Sequence, residues 1–390
     1  MGNSAWSEIL KGKFRWAAPA ALVAVLGTGV SAQQAPLPAD TGRGTVPGAT
    51  GLADVTMDPD GALHFGPRTM PPNMAASPES RAAFVDRIKD RLAADEKPSA
   101  ELQDAIAAVL RRYDMAPTDP AVHDRARREL VTRRTLQLYP DVQRIQTTIA
   151  GVRVEDWKPM HIAPRNLHRI ALEFEIDPEG VQMAGIGKLE VISVHYGNGS
   201  PNAAGVKDVV KVYRELLKTH KAKQIAMFGI SGGCQIAANT TVYLHYLHLP
   251  MPGALGLSTC AGGDGDSRVL MNGVDPALSV WPDAHRAPAP AQPAPARASA
   301  AEPPTPGIPN RIWEAEIPPG FPPSYLISGT RDMALSGTVR LQRMLRHAGA
   351  VVDLNVFDGL WHGFQQLPEL PESKDAITDQ WHFFDKYLAT

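Results

Sequence analysis

A glycine-rich turn between an apolar strand pattern and a helical pattern constrains the fold of this chain more than any other feature. The turn is Gly229-Ile230-Ser231-Gly232-Gly233, with an apolar run at 225–228 before it and a helical pattern at 234–247 after it. Small residues at 229, 232 and 233 let a strand turn directly into a helix. Such a turn holds the Ser231 side chain at the carboxyl edge of a sheet, beside a helix N-terminus that favours negative charge. We therefore predict that Ser231 is a nucleophile; the alternative is a glycine-rich turn that carries a serine by chance.

Two further residues complete the chemistry that a serine nucleophile needs. A serine hydroxyl is a weak nucleophile at neutral pH and requires a base that an acid orients. After a turn of this kind the chain order is serine, acid, histidine. Asp332 follows the apolar strand pattern at 324–328, and His362 follows the strand pattern that ends at Phe357. We predict Asp332 as the acid and His362 as the base; the alternatives are a helix N-cap and a structural histidine.

The residues from 141 to 390 alternate between strand and helix patterns, which predicts an α/β domain with a mostly parallel central sheet and helices on both faces. Residues 147–154 suit a hairpin or an edge strand. Further strands are predicted at 169–176, 189–194, 224–228, 254–258, 324–328 and 351–357. Helices are predicted at 206–218, 234–247, 336–347 and 375–388. A Pro/Ala-rich stretch at 286–309 has too little complexity to build a core, so we interpret it as an insertion, with the domain resuming at Pro322.

The N-terminal residues predict an export signal followed by a leader. Three basic residues precede an apolar run at 16–30, and small residues at 30–32 would permit cleavage before Gln33. This pattern is typical of a secretory signal peptide at 1–32 and predicts a periplasmic or secreted protein. The alternatives are a misassigned translation start and an uncleaved anchor, although the run is short for a stable membrane span. Residues 33–78 are rich in Pro, Gly, Ala and Thr and predict a disordered leader.

Residues 79–140 predict three helices that end near Leu138. Apolar residues recur there with helical spacing, while many Arg and Asp residues indicate a solvated outer face; the apolar positions are Phe84, Ile88, Leu92, Leu102, Ile106 and Leu110. We expect this segment to form a cap over the following domain or to pad it.

Composition excludes several classes of function. The formal net charge of −2 argues against a nucleic-acid partner, which calls for a strong basic bias. Two cysteines, Cys234 and Cys260, do not make a disulfide framework or a cysteine-based zinc cage. We expect them to be free thiols; the alternative is that they pair in an oxidising compartment. His245 and His248 are three residues apart without an evident third ligand. No metal site is therefore expected.

Several segments resemble the hormone-sensitive-lipase-like esterases of the α/β-hydrolase superfamily, and the bacterial acetyl esterases and monoterpene lactone hydrolases in particular. The matching pieces are the turn at 229–233 and the segments 184–196, 252–256, 329–332 and 361–364. The resemblance implies an α/β-hydrolase fold with Ser231, Asp332 and His362 as its catalytic triad. It also implies hydrolysis of short-chain carboxylic esters or lactones, which are small-molecule substrates, without a cofactor.

The chain departs from the family's pattern where a His-Gly-Gly-Gly-like stretch normally helps to stabilise the oxyanion. Here the strand at 169–176 continues directly into Asp177-Pro178-Glu179-Gly180. We predict Gly232 N–H as one oxyanion donor and Gly180 as a nearby backbone group, although Asp177 and Glu179 oppose negative charge. Losing one such donor costs on the order of 100- to 1000-fold in turnover. The segment at 195–198 and the insertion at 286–309 also differ from the family.

The sequence thus favours an exported carboxylesterase that acts through an acyl-enzyme. A catalytically weakened relative that binds a small apolar ligand or a partner is the main alternative, because of the missing glycine-rich stretch. Acyl transfer to an acceptor other than water is a third hypothesis, since the same triad serves both reactions.

Overall fold

The computed structural model describes residues 55–57, 63–65, 76–92, 99–113, 116–117, 121–174, 178–195, 203–260 and 305–390. The chain divides into units at 1–70 and 71–390. In the first unit, β1 (Val55–Met57) pairs antiparallel with β2 (Leu63–Phe65). These strands lie inside the stretch 33–78 predicted to be a disordered leader, so that prediction is wrong for these six residues. It is also wrong for residues 76–78, which lead into the first helix and include the buried Ala76. The predicted signal peptide lies outside the described residues.

The second unit is built on an eight-stranded sheet in the order β10-β9-β8-β7-β5-β6-β4-β3. β3 (Val142–Ile149) and β4 (Val152–Pro159) form an antiparallel hairpin, and β4 is also antiparallel to β6. The six remaining strands are parallel to one another. They are β5 (Ile170–Phe174), β6 (Glu190–Val194), β7 (Ile225–Ile230), β8 (Ala254–Ser258), β9 (Ser324–Gly329) and β10 (Val352–Phe357). Their carboxyl ends therefore share one edge of the sheet.

Helices cover both faces of the sheet, as the alternation of patterns predicted. One face is packed by α5 (Ala203–Leu216), α6 (Gly232–Tyr246) and α7 (Leu335–His347). The other is packed by α4 (Pro178–Gly187) and α8 (Pro371–Tyr387), together with residues of the N-terminal helical segment. Strand residues alternate between these two cores, so that Leu172 and Met227 face the first and Ala171 and Phe228 the second.

The N-terminal segment forms three helices, which confirms the prediction from its apolar spacing. They are α1 (Pro78–Leu92), α2 (Ala100–Tyr113) and α3 (Ala121–Leu138). Helix α3 is joined to the sheet by ion pairs, because Arg144 of β3 lies 3.0 Å from Glu129 of α3 and 2.7 Å from Glu155 of β4. Among the described residues, no helix combines the length and apolar character needed to cross a bilayer.

Two other predictions need correction. No helix was predicted between the strands at 169–176 and 189–194, but residues 178–187, which include Gly180, form helix α4. The insertion predicted at 286–309 ends earlier than expected: Ile308 is buried in the core of the first face, and the Pro309 carbonyl accepts a hydrogen bond from Asn239 Nδ2 at 3.1 Å. Buried apolar contacts therefore return the chain to the domain before Pro322. Residues 286–304 lie outside the described part of the chain.

Candidate active site

The turn at Ser231 has the backbone of a sharp strand-to-helix elbow. All residues of β7 are buried, α6 begins at Gly232, and Ser231 between them has φ 54° and ψ −107°. A positive φ is uncommon for a residue with a side chain and costs free energy, so neighbouring contacts must hold it. The Ser231 N–H donates to the Ser258 carbonyl oxygen at 3.0 Å. This bond ties the elbow to the end of β8.

Glycine is required on both sides of the serine. A Cβ at Gly229 would lie 2.6 Å from the carbonyl carbon of Gly233. A Cβ at Gly233 would overlap the carbonyl oxygen of Phe174, the last residue of β5. The first turn of α6 therefore lies directly against two strand ends. The close chain approach inferred from the small residues of the turn is present.

Asp332 and His362 form a buried pair at the same edge of the sheet. Asp332 follows β9 and is fully buried, while His362 follows β10 and is 3% exposed. His362 Nδ1 lies 2.8 Å from Asp332 Oδ1. The carboxylate also accepts hydrogen bonds from the Ser328 hydroxyl at 2.6 Å and the Ala334 N–H at 2.7 Å. An ionised carboxylate only accepts, so Nδ1 carries the proton and Nε2 keeps its lone pair.

The turn that carries Asp332 and the loop that carries His362 are joined by backbone hydrogen bonds. Arg331 N–H donates to the Leu360 carbonyl at 3.0 Å, and Thr330 N–H donates to the Phe357 carbonyl at 3.0 Å. The Thr330 hydroxyl oxygen accepts from Gly359 N–H at 2.6 Å. Asp332 and His362, the predicted acid and base, therefore lie on two loops that hydrogen bonds join into one unit.

A second set of contacts, which the sequence did not predict, holds the chain just beyond the histidine. The carbonyl of Gln365 accepts hydrogen bonds from Gln182 Nε2 at 2.8 Å and from the Ser373 hydroxyl at 2.7 Å. All three side chains are fully buried. Gln182 belongs to α4 and Ser373 to α8, so two helices fix one carbonyl three residues after His362.

Comparisons with known proteins agree with this geometry. A family model described as the α/β-hydrolase fold matches residues 180–366. This protein has the α/β-hydrolase fold. Comparison with curated protein sequences gives no match.

Several solved structures are similar in fold to this chain over most of its length. The crystal structure of an esterase called E25 is 25% identical with a TM-score of 0.63, over 84% of this chain and 99% of that one. An esterase from the bacterial hormone-sensitive lipase family is 22% identical with a TM-score of 0.54, over 75% of this chain and 100% of that one. EstE5 soaked with p-nitrophenyl butyrate has the same coverages, 19% identity and a TM-score of 0.54. In fold, this chain is thus similar to these esterases.

The two predicted oxyanion donors lie in the first turns of two different helices. Gly232 is the first residue of α6, so its N–H lies ahead of the first intrahelical hydrogen bonds. Gly180 is the third residue of α4, and a side chain there would come within 3.0 Å of the Ser193 hydroxyl and the Trp157 ring. Donation from either N–H to a reacting oxygen stays a prediction. Residues 175–177, which link β5 to α4, are Glu, Ile and Asp.

The cysteines of the α/β-hydrolase were expected to be free thiols, and that expectation is wrong. Cys234, in the first turn of α6, is joined to Cys260, which follows β8, with Cα atoms 5.5 Å apart. Both residues are fully buried. The elbow places the start of α6 beside the end of β8, and this proximity does not follow from positions 26 residues apart in the sequence.

Helix α1 contacts the residues that immediately precede Asp332 and His362. The Phe84 ring lies 5.9 Å from the Trp361 ring, and the Arg331 guanidinium lies 5.5 Å from the Phe84 ring. Arg331 therefore points away from the neighbouring carboxylate of Asp332.

The start of α1 is anchored to α8 by Glu372. This carboxylate accepts from Ser77 N–H at 2.7 Å and from the Ser80 hydroxyl at 2.7 Å. Burial acts to raise the pKa of Glu372, but these hydrogen bonds to the charged form outweigh it, so the pKa is lowered.

No group of three or more His, Cys, Asp or Glu side chains in the described part of the chain is arranged to hold a metal ion.

Proposed function

We propose that this protein is an exported serine carboxylesterase that hydrolyses short-chain esters or lactones. The observation that carries the proposal is the buried Asp332–His362 pair, with its 2.8 Å contact, at the sheet edge where the elbow presents Ser231. Esterase activity also agrees with the similarity to esterase E25 over 84% of the chain. The substrate class is supported by EstE5, a similar fold whose crystal was soaked with p-nitrophenyl butyrate.

In the proposed reaction, Ser231 Oγ attacks the ester carbonyl carbon while its proton passes to His362 Nε2. Asp332 holds the imidazole in the required tautomer and stabilises the imidazolium. Gly232 N–H donates to the developing oxyanion, and the N-terminus of α6 favours its negative charge. His362 then returns the proton to the leaving alkoxide, which leaves an acyl group on Ser231. Water, deprotonated by His362, attacks the acyl carbon and releases the acid.

The carboxylesterase proposal is tested with purified protein and p-nitrophenyl acetate and butyrate. We expect hydrolysis by the wild type and a loss of more than about 1000-fold in Ser231→Ala and His362→Asn. His347→Asn is the matched control, because His347 is an exposed residue at the end of α7. Equal rates for the wild type and Ser231→Ala would refute the proposal.

Export is proposed on the signal-like residues 1–32 and is supported by the buried Cys234–Cys260 disulfide. Disulfides form and persist in oxidising compartments and are rare in the cytosol of mesophiles. Expression of the full chain in a Gram-negative host, followed by N-terminal sequencing of the periplasmic fraction, tests this. We expect a mature chain that starts at Gln33. Full-length protein confined to the cytoplasm would contradict export.

One observation favours a second candidate, a weakened relative that binds an apolar ligand. The three residues that link β5 to α4 contain no glycine, whereas the resembling family places glycine N–H donors after this strand. This candidate predicts that Ser231 is not acylated by p-nitrophenyl esters while the protein still binds p-nitrophenol-sized apolar molecules. Stoichiometric acylation of Ser231 would exclude it. Added alcohol, with the products analysed, separates hydrolysis from acyl transfer.

A further inference from the structure

Two strained backbone positions lie side by side at the candidate site. Ser231 has φ 54°, and Thr259, the residue after β8, has φ 45°. A positive φ is a genuine outlier for a β-branched residue such as threonine, because its Cβ substituents crowd the backbone. Thr259 is fully buried, and its N–H donates to the Ile327 carbonyl of β9 at 2.7 Å. Strain of this kind persists only where the surroundings over-determine it.

Two links, one on each side of these positions, close a small ring. The first is the hydrogen bond from Ser231 N–H to the Ser258 carbonyl at 3.0 Å. The second is the disulfide from Cys234 to Cys260. The ring runs from Ser231 through the first turn of α6, across the disulfide, back through Thr259 to Ser258. Both unusual φ angles are therefore contained in one cross-linked loop.

We infer that the Cys234–Cys260 disulfide is a positioning element for Ser231: it holds the elbow and the end of β8 in their strained conformations and so orients the nucleophile. Both cysteines are fully buried, so a dithiol reductant reaches the sulfur atoms only after the site opens. The disulfide therefore stays formed in the folded protein and restrains the backbone of the elbow. This inference rests on the proposed role of Ser231, but its effect on the elbow backbone is measurable without any activity.

Restraint of Ser231 by the disulfide predicts a specific kinetic effect. Nucleophile and base must meet at hydrogen-bond distance, and small displacements of reacting groups cost large factors in rate. Removal of the disulfide is expected to lower kcat and leave KM nearly unchanged, because the substrate-binding surface stays in place while the serine oxygen moves. A cross-link with a general stabilising role would lower the melting temperature and leave kcat intact.

The test compares the wild type, Cys234→Ala/Cys260→Ala and a control in purified protein. Peptide mapping without reductant must first recover the cross-linked peptide; free thiols in the oxidised wild type would overturn the inference. In the double variant we expect kcat for p-nitrophenyl butyrate to fall at least about tenfold, with KM within about threefold. The control is Tyr213→Phe, which removes a partly buried hydrogen bond to the Pro250 carbonyl at 2.9 Å, near the start of β8. It should lose stability and keep its kcat.

Hydrogen–deuterium exchange of the peptide 229–236 supplies the readout that does not need catalysis. Exchange should be faster in the double variant by about tenfold or more, and unchanged in Tyr213→Phe. If the wild type hydrolyses no ester, the proposed function fails, while this exchange comparison still decides the inference. Unchanged exchange at the elbow, or unchanged kcat in an active enzyme, would overturn it.

A rescue variant still tests the inference if the double variant yields little folded protein. Glycine adopts a positive φ without strain, so adding Thr259→Gly relieves one of the two conformations that the disulfide holds. We expect the triple variant to regain folded protein and to slow exchange at 229–236 relative to the double variant. A triple variant no better than the double variant on both measures would overturn the inference.

Discussion

Asp332 Oδ1 lies 2.8 Å from His362 Nδ1 in a setting from which water is almost entirely excluded, since the two residues are 0% and 3% exposed. The same carboxylate is fixed by Ser328 and by the Ala334 N–H, so its orientation does not depend on the histidine. The pair therefore has the geometry of an oriented acid and base, and its proposed effect on Ser231 is testable.

Asp332→Asn should leave the fold intact and abolish most of the activity. The asparagine amide would donate to Nδ1, which moves the imidazole proton to Nε2 and removes the base; the expected loss in kcat is about 10⁴-fold. Steady-state kinetics on p-nitrophenyl butyrate with a circular dichroism spectrum checks this. Asp353→Asn, at an exposed site on β10, serves as the control and should behave as the wild type. An active Asp332→Asn enzyme would mean that the pair does not orient the base.

Gln182 and Ser373 should act together on the loop that follows His362. Either Gln182→Leu or Ser373→Ala leaves the buried Gln365 carbonyl with one donor, so each should cost about 1 kcal/mol of unfolding free energy. The double variant leaves the carbonyl without a donor and should cost about 1 kcal/mol more than the sum. Urea unfolding of the four proteins measures this coupling. Strict additivity would show that the two side chains do not share the carbonyl.

Gly233→Ala should prevent formation of the elbow, because the new methyl group would overlap the Phe174 carbonyl oxygen in a closely packed strand. We expect insoluble protein, or a loss of several kcal/mol of stability, about 3 or more. Gly349→Ala is the control: Gly349 has φ 81° with open space around it, so only the backbone cost of about 1 kcal/mol applies. Solubility and thermal melting distinguish the two. Equal behaviour of the two variants would contradict the packing described here.

Asp156 on β4 should make the protein less stable as pH rises. Burial, with Glu190 adding to it, raises the pKa of Asp156 to about 6, and Oδ1 has no hydrogen-bond partner. The folded state therefore favours the protonated carboxyl. This contribution is fully present below the unfolded pKa, near 4, and is lost as pH rises through about 6.

Asp156→Asn removes that loss of stability. At pH 8 its free energy of unfolding should exceed that of the wild type by an amount on the order of 1 kcal/mol, which raises its melting temperature, and the difference should shrink at pH 4. Thermal unfolding at both pH values, with Asp353→Asn as the exposed control, is the measurement. A less stable asparagine variant at pH 8 would show that the charged form is favoured in the folded protein.

The sequence predicted the elements that carry the candidate site because their signals are local. An elbow needs glycine at fixed positions, and apolar strands precede Ser231 and Asp332 directly. The residues that support the site were missed for the opposite reason. Gln182 meets the Gln365 carbonyl across 183 positions, and the cysteines meet across 26, so tertiary structure alone brings them together.

Helix α4 was missed because its sequence lacks the usual helical signals. It contains Gly180, Gly185 and Gly187, which have low helix propensity. Nearly all of its residues are buried, so no polar face produces a visible period. Packing explains the glycines: side chains at Gly185 and Gly187 would overlap Tyr139 or crowd Trp381. Tertiary contacts therefore decided the structure of this segment against its local preference.

The most direct test of the central claim is the site of covalent labelling by a fluorophosphonate. An activated serine with an adjacent base reacts with such a reagent, whereas an ordinary hydroxyl does not. Mass spectrometry of the labelled and digested protein should find one equivalent on the peptide that contains Ser231. Labelling should be absent in Ser231→Ala and strongly slowed in His362→Asn. A wild-type protein that takes up no label, or takes it up at another residue, would contradict the assignment of Ser231 as the nucleophile.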